Sequence, residues 1–177
     1  MLKKLAIALV LVVAAVLILA TRQPDTFRVE RSIVINAPAE KVVAHIDDFH
    51  QWEQWSPFEK LDPAMKKTHT GAAKGKGAVY AWQGNMKAGE GRMEIVEASA
   101  SNVTMDLHFL KPFETSNVAE FRLEPQGAGA TKVTWSMHGP NLFIGKVISV
   151  FISMDKMVGP DFEDGLAKLK SIAEAKA

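Results

Sequence analysis

From Met65 to Gly139 the hydrophobic period of this 177-residue chain is two, and it stays two through six successive runs. They read as strands near Lys66–Thr70, Ala78–Gly84, Gly89–Ala98, Asn102–Leu110, Thr115–Pro125 and Thr131–Gly139, separated by glycine-rich or polar stretches such as GAAKGKG, QGNMKAG, SASN and QGAGA. Val103, Met105, Leu107 and Phe109 fall on one parity, as do Ala119, Phe121 and Leu123, and Val133, Trp135 and Met137. Short links between successive alternating strands predict an antiparallel meander with one dry face and one wet face. A dry face needs a cover, which the flanking segments must supply.

Both flanks are candidates. Phe27–Asn36 is β-branched and alternating and adds a seventh strand, with Arg31 on its apolar parity. Ala37–Glu40 opens a short helix, with Pro38 in its first turn, Glu40 at the positive end of the dipole, and Val42, Val43 and Ile46 as its apolar side. FHQWEQWSPF follows as a second short helix that Pro57 stops. After Gly139 the period becomes helical again. Leu142–Val158 is apolar nearly all round, Gly159-Pro160 is expected to interrupt it, and Phe162, Leu166, Leu169 and Ala173 then form one stripe. This C-terminal helix is the only element large enough to cover the sheet.

The first twenty residues are of a different kind. Leu5–Ala20 is sixteen apolar residues without a charge, preceded by Lys3 and Lys4. As a helix it spans about 24 Å, against roughly 30 Å of bilayer core, and flanking lysines and Arg22 can snorkel to make up the difference. Two readings fit, a retained anchor or a cleaved signal peptide. The anchor is favoured because cleavage after Ala20 would put Ile18 where a small residue is needed. The expected organisation is residues 1–22 as anchor or signal and 23–177 as the folded domain. The positive-inside rule then places that domain on the non-cytoplasmic side, periplasmic or extracellular. Lys3, Lys4 and Arg22 are the charges of the first 22 residues. The other 18 bases face all 20 acids, which is no nucleic-acid footprint. Cysteine is absent, so disulfides, thiolate metal sites and cysteine nucleophiles are excluded.

Motif by motif, the soluble part resembles the START-like, helix-grip (SRPBCC) superfamily in its polyketide cyclase/dehydrase and lipid transport branch. The resemblance is carried by Ile35-Asn-Ala-Pro-Ala-Glu-Lys-Val-Val, Trp52-Glu-Gln-Trp-Ser-Pro-Phe, Gly77-Ala-Val-Tyr-Ala-Trp, Gly91-Arg-Met-Glu-Ile, Thr131-Lys-Val-Thr-Trp-Ser-Met and the stretch from Met154 to Lys170. It implies an α+β helix-grip fold: a curved antiparallel seven-stranded sheet around the long C-terminal helix, here preceded by one N-terminal transmembrane helix. It also implies an apolar cavity between helix and sheet, closed at one end by the Trp52–Phe58 region. The superfamily holds carriers, cyclases, hydrolase-like members and plain binding modules, so fold alone does not choose among them.

The expected function is binding or transport of a hydrophobic small molecule or lipid in that cavity, outside the cytoplasm, without cofactor or metal. Trp52, Trp55, Phe58, Tyr80, Met105, Trp135 and Met154 are the candidate lining, with Arg31 as a polar anchor unless a bulge turns it out. For Trp52 and Trp55, three residues apart on one helix face, core packing is the favoured reading over ligand lining, and a residue at a cavity edge can do both. Inward methionines, including Met93, Met137 and Met157, suit either an adaptable pocket or an ordinary core. The alternatives are a cyclase/dehydrase-like or hydrolase-like enzyme using His50, Tyr80 or Arg31, and a partner-binding module with a filled core. No histidine pair has a zinc spacing, His45 and His69 have no partner visible in the sequence, and Asp47 and Asp48 read as helix-end acids. Lys74 and Lys76 sit in a hairpin loop able to meet anionic headgroups. Finally, Leu142–Ile152 carries more apolar surface than one stripe needs. Ile144, Ile148 and Phe151 are expected to cover the sheet, the segment acting as a membrane-facing lid hinged at Gly145 and Gly159-Pro160.

Overall fold

Seven strands form one antiparallel sheet in the order β1-β7-β6-β5-β4-β3-β2. In this computed structural model, which describes residues 1–127 and 129–175, the strands are β1 (Thr26–Ile35), β2 (Lys66–Gly71), β3 (Ala78–Gln83), β4 (Glu90–Ala98), β5 (Asn102–Lys111), β6 (Thr115–Pro125) and β7 (Thr131–Pro140). Ala128 of the QGAGA turn and the last two residues of the expected domain lie outside the described residues. The helices are α1 (Leu2–Thr21), α2 (Ala39–Ile46), α3 (Phe143–Ser149) and α4 (Met154–Glu174), with two 3₁₀ turns, Phe49–Gln54 and Pro57–Lys60, between α2 and β2. Strand parity behaves as the alternation demands. Val103, Met105, Leu107, Ala119, Phe121, Leu123, Val133, Trp135 and Met137 all point into the core. Register shifts in the β4–β5 ladder, at Glu90/Gly91 and Ile95/Glu97, supply the local bends that curve such a sheet.

The concave face is gripped by α4. Phe162, Leu166, Leu169 and Ala173 are buried beneath it, and burial of each large apolar side chain contributes roughly 1.5–3 kcal/mol. The C-terminal end of α4 is fastened to β1 by polar contacts: Lys170 Nζ donates to the Val34 carbonyl at 2.6 Å, and the Asn36 amide donates to Glu174 at 2.6 Å. The helix itself departs from expectation. Gly159-Pro160 does not interrupt it. The break lies earlier, between α3 and α4, where Ser153 caps α4 by accepting from the Lys156 amide. Pro160 sits on the exposed side, so the Lys156 carbonyl that loses its partner can be solvated. Gly159 is buried because the guanidinium of Arg31 lies against it, where a Cβ would stand 2.1 Å from an Nη atom.

Two further expectations change. Ile144, Ile148 and Phe151 do not cover the sheet; they are exposed, and α3 packs on the C-terminal part of α1, where Val16 is half-buried and Ala20 fully buried. Met157 also faces out, while Met93, Met105 and Met137 are buried. The turns alternate between the two ends of the sheet. The β2–β3, β4–β5 and β6–β7 turns lie at the Ile35 end. The β3–β4 and β5–β6 turns lie at the Thr26 end, together with α3 and the exit from α1. The loop bearing Lys74 and Lys76 is therefore remote from α1.

Candidate functional site

The middle of the grip is filled by aromatic rings. Trp135 of β7 stacks on Phe162 of α4 and on Phe121 of β6, with centroids 4.0 and 4.9 Å apart. Trp55 meets Trp135 and Phe121 edge-on, and Phe58 meets Trp135 and Phe162 edge-on. Trp52 and Trp55 are buried, and their indole N–H groups donate to the Ile46 and His45 carbonyls at 2.9 Å each, so these rings also pin α2 to the 3₁₀ turn. Met105 lies fully buried on β5. The indole N–H of Trp135 is buried without a partner among the described residues.

Arg31 stays on the inward parity in an unbroken ladder, opposite Trp135, so no bulge rotates it. Its guanidinium donates to Asp155 at 2.7 and 3.1 Å and to Glu163 at 2.6 Å. These bonds keep Arg31 protonated far above any physiological pH and hold Asp155 below the usual carboxylate range. Arg31 thus clamps β1 to the first turns of α4.

Beside that core, the first 3₁₀ turn and β2–β3 enclose a concavity of about 160 Å³, lined by Phe49, His50, Glu53, Glu59, Lys67, His69 and Tyr80. Of the expected ligand residues, only Tyr80 faces it. The Tyr80 hydroxyl donates to Glu59 at 2.7 Å, and the Glu59 side chain, only 5% exposed, lies 2.6 Å from Lys67 Nζ. Burial first, and then the Glu59 hydrogen bond, push the phenol well above its ordinary value. Burial pulls Lys67 down, but its contacts with Glu53 and Glu59 outweigh this and raise it. His69 has a partner after all: its ring stacks on His50 at 4.2 Å and leans on Tyr80. Burial and the neighbouring His50 lower its pKa. His50 Nδ1 lies 2.9 Å from Asp48 Oδ1, which also accepts from the His50 amide and caps the turn. At about 160 Å³ the space suits the polar group of a ligand rather than a whole one, since pockets for whole ligands start near 300 Å³. A second concavity, about 310 Å³, lies outside the grip between the β3–β4 and β5–β6 turns, lined in part by Met86, Glu90 and Lys111.

The Thr26 end of the concave face differs from the filled middle. Phe27 of β1, Trp82 of β3 and Phe109 of β5 point inward there but are only partly buried, as are Met154 and Val158 in the first turns of α4. Asn117 of β6 sits on the same inward parity, opposite Leu107. It lies over Gly139, where a Cβ would clash with its amide, and its Oδ1 is buried without a partner among the described residues. Thr115, two residues earlier on the same parity and opposite Phe109, likewise buries its hydroxyl oxygen without a partner among the described residues, so two unpaired polar atoms lie at the end where these apolar residues are incompletely covered. Asn117 breaks the apolar parity of its strand just as Arg31 does, and that signal was available in the sequence. Glu59, Lys67 and His69 had no such signal, because only the sheet register and the second 3₁₀ turn bring them to Tyr80.

Residues 26–174 match the family described as polyketide cyclase/dehydrase and lipid transport. Among solved structures, the Zhui aromatase/cyclase from Streptomyces sp. R1128 superposes with a TM-score of 0.61 at 15% identity, covering 84% of this chain and 94% of that one. A START superfamily protein from Mycobacterium smegmatis gives 0.57 at 15% identity, covering 83% and 97%. The hypothetical protein jhp0584 from Helicobacter pylori gives 0.62 at 11%, covering 84% and 88%. At these identities the likeness is one of fold. A search of curated proteins finds no sequence match.

Proposed function

This chain belongs to the polyketide cyclase/dehydrase and lipid transport family, and on that premise we propose that its domain binds a hydrophobic small molecule or lipid at the Thr26 end of the grip. One observation carries the reading. The inward residues there, Phe27, Trp82, Phe109, Met154 and Val158, are apolar and incompletely covered, and the same end holds the unpaired side-chain oxygens of Asn117 and Thr115. Apolar walls with a few polar groups are what an amphiphile requires. A buried polar atom left unpaired costs about 1–3 kcal/mol, which a ligand donor offsets. In this reading Met154 is rim; Trp52, Trp55, Phe58, Met105 and Trp135 are floor; Tyr80 marks the polar side; and Arg31 fixes the helix that forms one wall. The helix α1, apolar and almost wholly exposed, is the anchor in this reading. Lys3 and Lys4 keep its start cytoplasmic, so the domain works on the other side.

Native mass spectrometry of the full chain, released from detergent, tests the proposal. The expected result is a co-purifying apolar adduct that Phe109→Asp removes while the circular dichroism is unchanged. Absence of any adduct, together with no binding of a fluorescent fatty acid, overturns it.

A second reading has its own observation. The Asp48–His50 pair at 2.9 Å, stacked on His69, places two imidazoles and a neutral phenol around one small concavity. Such a set can move a proton to or from a bound carbonyl compound, as an enzyme of the cyclase or dehydrase type requires. A bound compound whose mass changes with time, and stops changing in His50→Gln, would favour this reading.

A further inference from the structure

Exposed apolar side chains gather at one end of the domain, and they come from three segments far apart in sequence. Met86, 93% exposed, stands at the tip of the β3–β4 turn. Leu110 and Phe113, 48% and 53% exposed, flank the β5–β6 turn. Phe143 on α3, and Phe151 and Ile152 just after it, are exposed as well, with Phe151 at 74%. All three segments lie at the Thr26 end of the sheet. The opposite end carries GAAKGKG, SASN and QGAGA turns, which have no large apolar residue.

The same end is where the chain leaves α1. Only the residues Arg22–Asp25 separate that helix from β1, a reach of at most about 14 Å. The link is tied down further. The Asn141 amide donates to the Asp25 carbonyl at 2.7 Å, the Asn141 side chain donates to the Pro24 carbonyl at 3.1 Å, and Lys146 pairs with the Asp25 carboxylate. Along α1 the burial is confined to Val16 and Ala20, so α3 lies against its last turns. With α1 across a bilayer, those turns stand at the boundary between acyl chains and headgroups, and α3 stands at the same depth.

We propose that the Thr26 end of the domain docks on the bilayer surface, with α3, Phe151 and the tips at Met86 and Phe113 entering the interface, so that the ligand mouth opens onto lipid. Interfacial elements of this kind bury their apolar side by roughly 5–10 Å. The occupant is lipid rather than a second copy of the chain, because the exposed residues form separate tips at one level instead of one continuous face, and because α1 holds that level at the membrane. This deepens the binding reading above: the ligand becomes an amphiphile taken from, or delivered to, the leaflet beneath the mouth.

The chain has no cysteine, so single-cysteine variants report depth directly. Met86→Cys, Phe113→Cys and Phe151→Cys are labelled with an environment-sensitive fluorophore in the full-length protein. They are then reconstituted in phosphatidylcholine vesicles carrying a minor share of phosphatidylglycerol and a headgroup-proximal doxyl quencher. Ala73→Cys, in the loop at the far end, is the control. The expected result is quenching about twofold or more stronger at the three tips than at Ala73. Equal quenching at tips and control overturns the proposal. So does protein that fails to float with the vesicles, and so does label self-quenching between copies without lipid quenching. Strong tip quenching without a co-purifying adduct would leave the docked orientation standing and remove the ligand reading.

Discussion

The indole of Trp135 and the ring of Phe162 lie face to face, 3° from parallel, with centroids 4.0 Å apart. One belongs to the last strand and the other to the long helix, so this stack is the central contact of the grip. Phe162→Ala should therefore cost about 3–5 kcal/mol, the range for a buried aromatic truncated to alanine. Phe162→Leu, which keeps most of the volume, should cost distinctly less. Thermal unfolding of the protein in mild detergent reads both. A small effect of Phe162→Ala would mean that the helix is held mainly by its ends.

Gly165, one turn further along α4, packs against the rim of the same indole. A Cβ there would meet Trp135 at 2.8 Å and Pro57 at 3.0 Å. In a helix interior, glycine to alanine normally gains about 1 kcal/mol. Here both neighbours are rigid rings within a filled core, and overpacking costs about 1–3 kcal/mol. Gly165→Ala is expected to lower the melting temperature against its helix propensity. An unchanged or raised value would show that Pro57 and the second 3₁₀ turn can give way.

How these elements were readable, or not, follows from the physics of each. Strand parity is a local property, so Met105, Phe121 and Trp135 announced their burial. The interruption expected at Gly159-Pro160 followed the usual habit of those residues. What the local pattern could not show is that Arg31, 128 positions earlier in sequence, would occupy the space beside Gly159 and make glycine the residue that fits a continuous helix. The lid residues Ile144 and Ile148 had a helical spacing that demanded a partner; both stay exposed, and α3 packs on α1 through its other residues rather than on the sheet, a choice that periodicity does not encode. Glu59, Lys67 and His69 meet at Tyr80 only through the β2–β3 register.

Two histidines set a pH dependence. Burial, then Lys41, lowers His45 below the usual 6.5, and burial, then His50, lowers His69. A depressed histidine binds its proton less readily folded than unfolded. Stability is then whole above 6.5, falls as the pH drops through that value, and has reached its full loss once the pH is below the folded pKa values. Asp48 and Asp155, held below 3.8, lose their contributions only in a separate, more acidic window. Melting temperatures compared at neutral and mildly acidic pH should fall for the wild type, and fall less for His45→Gln combined with His69→Gln. Parallel slopes would remove the histidines from the account.

Tyr80 is the single tyrosine of the chain, so the alkaline phenolate absorbance reports one group. Its ring is buried and its hydroxyl donates to Glu59 at 2.7 Å; both effects raise the pKa above the ordinary 10. A group with a raised folded pKa keeps its proton longer folded than unfolded, so its share of stability is intact below pH 10 and declines as the pH rises beyond it. The native protein should show little phenolate near pH 10, and the absorbance should rise together with loss of the tryptophan near-ultraviolet dichroism, because ionisation requires opening of the site. Urea-unfolded protein should titrate at the ordinary value. Glu59→Gln should bring the native onset down without restoring it to 10, since burial is the larger cause. Tyr80→Phe should remove the alkaline slope and cost about 1.5–3 kcal/mol at neutral pH, the value of a hydrogen bond to a charged group. A native titration centred near 10 with the fold intact would show that the Tyr80–Glu59 contact is open to water, and the polar side of the proposed site would have to be redrawn around His50 and His69.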